Sequence, residues 1–208
     1  MKRVIEPRRL KLAVLASGRG SNFVAINEAI QKGDLQADIS LLISDQAGAA
    51  ALQRARNAGV STLFINPKDY RNRNEYEAEV VKNLQTFGID IVVLAGYMRL
   101  VGKVLLDAYR MRIVNIHPAL LPSFPGLHAQ RQAVDYGAKY SGCTVHFVDE
   151  GMDTGPIIMQ AAVPVLADDS EDSLADRILI QEHRIYSQAL QLLAEGRVYI
   201  EGRKVHIN

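Results

Sequence analysis

Five apolar runs without polar alternation constrain this chain most: LKLAVLAS (10–17), DISLLIS (38–44), STLFI (61–65), DIVVLAG (90–96) and RIVNIH (112–117). Strands covered on both faces read this way, and such strands belong to parallel sheets. The segments between them have helical spacing. In 21–33, Phe23, Ile26 and Ile30 share a face and Gly33 stops the helix; 48–59 is a second helix; in 73–87, Tyr76, Val80, Leu84 and Phe87 recur before Gly88. Strand and helix in alternation predict right-handed βαβ units.

After residue 117 the pattern changes. GLHAQRQAVDYG (126–137) reads as a helix, SGCTVHFVDEG (141–151) alternates, and GPIIMQAAVPV (155–165) is another strand. The short loop between these two strands predicts an antiparallel pair. A long helix follows at 170–196, with acids in its first turn and Gly196 at its end, and then a tail that can turn back at Glu201-Gly202. The expected architecture is a Rossmann-like α/β fold. It has an open, mostly parallel twisted sheet, helices on both faces, and an antiparallel strand in the C-terminal half.

Composition narrows the partners. With 24 Lys and Arg against 23 Asp and Glu, the net charge of +1 gives no polyanion-binding surface. Nucleic acid is therefore not an expected partner. No run approaches the ~20 apolar residues of a membrane span, and the basic start MKRVIEPRRLKLAV does not read as a signal peptide. One cysteine, Cys143, can form neither an internal disulfide nor a Cys-rich zinc site. The expected setting is cytoplasmic.

In an open α/β sheet, ligands bind beyond the carboxyl ends of the strands. That rule selects residues 17–22, 44–48, 96–102, 115–126 and 149–155. In ASGRGSN (16–22), Gly18 and Gly20 lead into a helix N-terminus, where N–H groups and the helix dipole favour an anion. Phe23 stands where a dinucleotide fingerprint needs glycine, and no Gly-Lys-Ser/Thr is present. The turn suits a single phosphate; alternatively, Ser21 simply caps the helix. Asn115 and His117, two apart on a strand, point to one side. They can supply a hydrogen-bond donor and a proton donor or oxyanion partner, or they form a bonded pair at the sheet rim. Among Asp149, Glu150 and Asp153, one carboxylate can pair with His117 and stabilise its charged form; the residues alone do not choose which. Glu182 interrupts the apolar stripe Leu174, Ile178, Ile185, Ala189 and Leu192. It either reaches water or meets a ligand. AGYMRL (95–100) can line a pocket for a flat ring or merely pack, and Arg73 can meet an anionic tail or remain solvated. No spaced His, Cys or Asp set predicts a metal.

SGRGSN at the first turn, VVLAGYMRL, NIHPALLPSFPG, VHFVDEGMDTGPIIMQ and QEHRIY together resemble the phosphoribosylglycinamide formyltransferases, over about residues 11–195. These are the 10-formyltetrahydrofolate-dependent transformylases of purine synthesis. The resemblance implies one domain over 1–208. It comprises a short leader (1–10), a nucleotide-binding half (about 11–110), a catalytic and folate half (about 111–196) and a short tail (197–208). It implies catalytic roles for Asn115, His117 and Asp153, which selects Asp153 among the three acids. It implies phosphoribosylglycinamide binding by Gly20, Ser21, Asn22 and Glu182. Folate binding is implied for Arg73, Met98, Arg99, Leu100, Val101 and Asn115. Arg19 stands where the family often has Asn. The implied cosubstrate is 10-formyltetrahydrofolate, with no metal, and the implied partners are small molecules, with a monomer or weak homodimer.

The implied reaction is formyl transfer to the amine of 5'-phosphoribosylglycinamide. The amine is itself the nucleophile, so no enzymic Ser or Cys is required. A 10-formyltetrahydrofolate hydrolase would use water instead and would not need the phosphate turn; in that family an N-terminal regulatory domain is usual. A methionyl-tRNA formyltransferase would carry a C-terminal tRNA-binding domain. Neither addition is expected here. A nucleotide-binding module without catalysis would explain the glycine turn but not Asn115, His117 and Asp153.

Overall fold

The computed structural model describes residues 1–208. The chain runs β1 (Lys2–Arg3), β2 (Leu10–Leu15), α1 (Ser21–Lys32), β3 (Ala37–Ser44), α2 (Ala50–Asn57) and β4 (Ser61–Phe64). A 3-10 turn at Pro67–Asp69 leads to α3 (Arg73–Thr86), β5 (Ile91–Leu94), α4 (Lys103–Ala108) and β6 (Ile113–His117). Then come α5 (Ala129–Tyr136), β7 (Tyr140–Phe147), β8 (Ile157–Pro164), α6 (Glu171–Ala194), β9 (Val198–Glu201) and β10 (Lys204–Ile207).

Seven strands form the main sheet in the order β4-β3-β2-β5-β6-β7-β8. The first five are parallel, and β7 runs antiparallel to both neighbours. Four of the five apolar runs are buried as their lack of alternation predicts; the fifth, STLFI, forms the edge strand β4, which pairs on one side only and leaves Phe64 exposed. Leu12, Val14 and Ala16 pack with Phe23, Ile26, Leu52 and Ile185 on one face. Ala13 and Leu15 pack with Tyr76, Val80 and Leu84 on the other. From β2 the chain adds strands in one direction through β4. The crossover through α3 then brings it back to β5 on the other side of β2. The crevice at this reversal, between the ends of β2 and β5, is where such a sheet binds ligands.

Local signals explain most helix ends. Gly33 adopts φ 83 and donates its N–H to the carbonyls of Ala29 and Ile30, closing α1. Ser170 and Ser173 form a reciprocal cap at the start of α6, beside Glu171 and Asp172. The six-residue helix α4 was not visible in the sequence pattern. It is too short to show a period, and its N-terminal N–H groups find their acceptor in Glu77, 25 residues earlier than Gly102. The predicted helix at 126–137 begins later, at Ala129, because His128 is left-handed at φ 56.

The leader and the tail are one structure. β1 pairs with β9 and β10 pairs with β9, giving a separate three-stranded antiparallel sheet. The Val4 and Arg8 N–H groups also donate to the carbonyls of Val198 and Ala194, at 3.0 and 2.9 Å. The hairpin turn at Gly202 is as predicted, and the use of Lys2–Arg3 from the leader to complete its sheet is new. No helix is long and apolar enough to cross a membrane.

Candidate active site

Strand β6 ends at the rim with Asn115 half-buried and His117 buried on one side of the sheet. Antiparallel β7 places His146 directly opposite Asn115 and Thr144 opposite His117. Cross-strand partners face the same way. Asn115 Nδ2 accordingly lies 3.2 Å from His146 Nε2. His146 Nδ1–H donates to the Phe147 carbonyl at 2.8 Å, which leaves Nε2 as the acceptor for the amide. Burial pushes the His146 pKa down, so the neutral ring that this bond requires is the favoured one. One amide hydrogen of Asn115 is committed to His146; the second is free to act.

His117 is held from two sides. Its Nε2–H donates to the Phe124 carbonyl at 2.8 Å, and Nδ1 faces Asp153 Oδ2 at 3.4 Å. The same Asp153 oxygen accepts the Gly126 N–H at 2.8 Å, and its other oxygen lies 3.8 Å from His146 Nε2. One carboxylate thus meets both imidazoles. Asp153 reaches them from the loop between β7 and β8 with φ 54, a left-handed conformation that Asp tolerates better than most residues. Asp149, one of the competing acids, instead accepts from Gly151 N–H at 3.1 Å and Thr154 Oγ–H at 2.6 Å, and so shapes the loop. The Phe147 N–H bonds the Pro156 carbonyl, and a Cβ on Gly155 would run into the Phe147 carbonyl. Gly155 is therefore required by this close approach.

The proline-rich stretch after His117 is fastened to the sheet. Thr144 Oγ1 accepts the Leu121 N–H at 3.0 Å and donates to the Ala119 carbonyl at 2.7 Å; Gln160 Nε2 bonds the Leu121 carbonyl at 2.9 Å. Phe124, whose carbonyl receives His117, has φ 52. Sequence reasoning missed Thr144, His146 and Gln160. The alternation of 141–151 marks which residues share a face, but only the strand register reveals that this face also carries Asn115 and His117.

At the β2 end, Gly20 is the N-cap of α1 at φ 76, and Ser21 is the first helical residue. The capping reading of Ser21 is therefore not realised, and its hydroxyl makes no cap bond. Gly20 cannot carry a side chain here, because a Cβ would stand 2.7 Å from Ala51 Cβ in α2. The first N–H groups of α1 have no intrahelical acceptor and point outward, as at any helix start. Asn22 is buried, and its Nδ2 donates to Glu182 Oε2 at 2.9 Å. Glu182 therefore lies at the glycine turn and does not reach out to water. Burial pushes its pKa up, opposed by the Asn22 bond.

Between these ends lies the segment after β5. Met98 and Leu100 are exposed and Val101 is half-buried. Arg99 stacks over the Tyr76 ring at 5.1 Å, and Arg73 starts α3 close to Gly102. Cys143 is buried in β7, its thiol pushed up to about 12 by burial, as befits an inert core residue. No three His, Cys, Asp or Glu side chains converge in a metal-binding group.

Comparison with known proteins places the chain in a family. The formyl transferase family model matches residues 10–190. The chain is 40% identical over 199 residues to phosphoribosylglycinamide formyltransferase of Escherichia coli, covering 96% of this chain and 92% of that protein. It is 48% identical over 201 residues to the trifunctional purine biosynthetic protein adenosine-3 of Drosophila melanogaster. That match covers 96% of this chain but spans only 15% of the larger protein. The crystal structure of glycinamide ribonucleotide transformylase 1 from Symbiobacterium toebii superposes with a TM-score of 0.94 at 52% identity, covering 95% of this chain and 93% of that one. A formyltetrahydrofolate deformylase from Pseudomonas syringae superposes at 0.88 with 27% identity, and the match takes in 66% of that longer chain.

Proposed function

The chain belongs to the formyl transferase family, and from that premise we propose that it transfers the formyl group of 10-formyltetrahydrofolate to the amine of 5'-phosphoribosylglycinamide. The products are the N-formyl amide and tetrahydrofolate, and the reaction serves purine synthesis. The observation that carries the reading is the convergence of Asn115, His117 and Asp153 at a strand end, beside a helix N-terminus that can take a phosphate.

In this reading the phosphate rests on the N–H groups of Gly20, Ser21 and Asn22, and the ribose meets Glu182. The residues after β5 suit a flat ring with polar edges. Met98 and Leu100 expose apolar surface, and the N–H groups of Arg99, Leu100 and Val101 have no acceptor within the chain. Arg73 meets the acidic tail of the folate. The substrate amine attacks the formyl carbon. The carbonyl oxygen becomes an oxyanion and accepts the free amide hydrogen of Asn115 and the Nδ1 proton of His117. The 3.4 Å contact between that nitrogen and Asp153 is longer than a full hydrogen bond, so the proton is not tied to the carboxylate. Asp153 takes the proton that the amine sheds and passes it to the departing folate nitrogen as the C–N bond breaks, which returns the carboxylate to its starting state. No metal enters this chemistry.

The deformylase neighbour favours testing one rival, in which water replaces the amine. Purified protein is given 10-formyltetrahydrofolate with and without phosphoribosylglycinamide, and tetrahydrofolate release is followed by absorbance. Release that depends on the amine is expected. Equal release without it would make the protein a hydrolase.

A further inference from the structure

Two buried carboxylates have no part in the chemistry above: Asp45, 5% exposed, and Glu77, 3% exposed. Both act on one stretch of backbone. Asp45 Oδ1 accepts the Ser17 hydroxyl at 2.6 Å, and Ser17 Oγ accepts the Met98 N–H at 2.9 Å. Ser17 also donates its own N–H to the Gly96 carbonyl at 3.0 Å. At the far end, Glu77 Oε1 accepts the Gly102 N–H at 2.5 Å, and Oε2 accepts the Leu105 N–H at 3.2 Å. A Cβ on Gly102 would stand 2.8 Å from that carboxylate, so glycine lets the backbone come this close. In the middle, the Tyr97 hydroxyl meets the Tyr76 hydroxyl at 2.7 Å, one residue before Glu77 on α3.

The stretch from Met98 to Gly102 is irregular and makes no ladder of its own. Its backbone N–H groups bond the rest of the chain only at its two ends, and the Gly102 carbonyl accepts the Leu106 N–H at 3.0 Å as α4 begins. A helix start is ordinarily satisfied by a local Ser, Asp or Asn at small penalty. Burying a carboxylate is expensive unless its hydrogen bonds are made. Here the buried acids belong to other elements, β3's rim and α3, so each bond ties the segment to a fixed part of the fold. A local cap would close α4 without fixing the segment against α3.

We propose that Asp45, acting through Ser17, and Glu77 are positioning residues. Together they hold both ends of Met98–Gly102 in register with the formyl donor and set the affinity for the pterin ring without touching it. This rests on the reading of residues 98–101 as the folate contact. A binding edge made of backbone N–H groups works only when held to about half an ångström, and a small misplacement of a positioned group is costly.

The test is steady-state kinetics on the full chain, with calorimetric titration by tetrahydrofolate. Glu77→Gln leaves one acceptor facing two N–H donors. It is expected to raise KM for 10-formyltetrahydrofolate and the Kd for tetrahydrofolate about tenfold, with kcat and the KM for phosphoribosylglycinamide within about twofold of wild type. Ser17→Ala deletes one hydroxyl at the other end and is expected to give the same split; it decides the matter if Glu77→Gln does not fold. Asp45→Asn keeps an acceptor for Ser17 and should stay near wild type, whereas Asp45→Ala should follow Ser17→Ala. Loss of kcat with both KM values unchanged, in step with loss of folded protein, would mean a purely structural role. Wild-type folate affinity in folded Glu77→Gln and Ser17→Ala would overturn the proposal. Absence of formyl transfer by the wild-type chain would instead overturn the functional reading, with tetrahydrofolate affinity still deciding the positioning role.

Discussion

The two sides of the strand-end rim hold their ligand-facing groups by opposite means. On the parallel side, the glycine turn and the segment after β5 offer mainly backbone N–H groups, fixed by buried polar side chains: Glu182 on Asn22, Asp45 on Ser17, Glu77 on Gly102. On the antiparallel side, side chains carry the proposed chemistry. His117 and His146 are buried on adjacent strands, and Asp153 comes to them on an exposed loop. Backbone donors on a pinned scaffold suit recognition of phosphate and ring edges. Titratable side chains across two strands suit proton transfer. Substitutions on the parallel side should therefore appear in KM, and those on the antiparallel side in kcat.

The largest effects sharpen this division. His117→Ala removes the proposed donor to the oxyanion, and kcat is expected to fall about 10²–10³-fold. Asp153→Asn leaves the shape but removes the negative charge, with a fall of similar order expected. Circular dichroism checks the fold of each. If either variant instead kept its turnover and lost only affinity, the antiparallel side would be a binding surface and the division would collapse.

His146→Ala comes next. It deletes the acceptor that orients the Asn115 amide, so kcat should fall about tenfold while both KM values hold. Its signature is also in pH. Burial lowers the folded-state pKa of His146, so below the ordinary histidine value the unfolded chain binds the extra proton first. The contribution to stability is whole above that value and is lost as pH falls toward the folded one. The Tm of wild type should thus drop between pH 7 and 5 more steeply than that of His146→Ala. Parallel curves would show that His146 is not held neutral.

His146 also marks how far the sequence could be read. The five apolar runs define the parallel sheet because their signal is local. Likewise i and i+2 on one strand suffice to put Asn115 and His117 together. His146 and Thr144 face them only through the β6–β7 register, which depends on how a 22-residue connection between the strands closes. The choice of Asp153 over Asp149 came from family resemblance and not from the residues themselves, whose loop bonds only the structure displays, and α4 needed Glu77 from a distant helix. Contacts between elements were hidden for one reason: nothing in a residue's neighbours along the chain encodes its partner across the sheet.

On the parallel side, Glu182→Gln tests recognition against stability. Burial raises the Glu182 carboxyl, so the folded chain holds this proton to higher pH than the unfolded one. Stabilisation by that group is complete below its unfolded value and is lost as pH rises through the folded value. Above the unfolded value the buried carboxyl is therefore a burden that the amide lacks. The variant is expected to raise Tm at pH 7 by about 2–4 °C and to raise KM for phosphoribosylglycinamide several-fold, about 1 kcal/mol of binding, with kcat little changed. A lower Tm would mean that Glu182 is a structural acceptor for Asn22 first and a ligand group second.

The smallest effect probes whether the division has an exception. Arg203, in the turn between β9 and β10, donates to the Thr154 carbonyl at 2.7 Å, next to Asp153. Through it the sheet that joins the two chain ends touches the catalytic-side loop, much as remote side chains hold the segment after β5. The tether differs in burial. Arg203 is exposed, and an exposed charged contact contributes under about 1 kcal/mol. The loop also has internal bonds through Asp149, and Asp153 is separately anchored by the Gly126 N–H. Arg203→Ala is therefore expected to lower kcat by about twofold or less, with both KM values unmoved. A tenfold loss, measured beside Asp149→Ala, would show that Asp153 is placed by a remote backbone tether. The antiparallel side would then share the device of the parallel side, and burial would no longer predict which tethers matter.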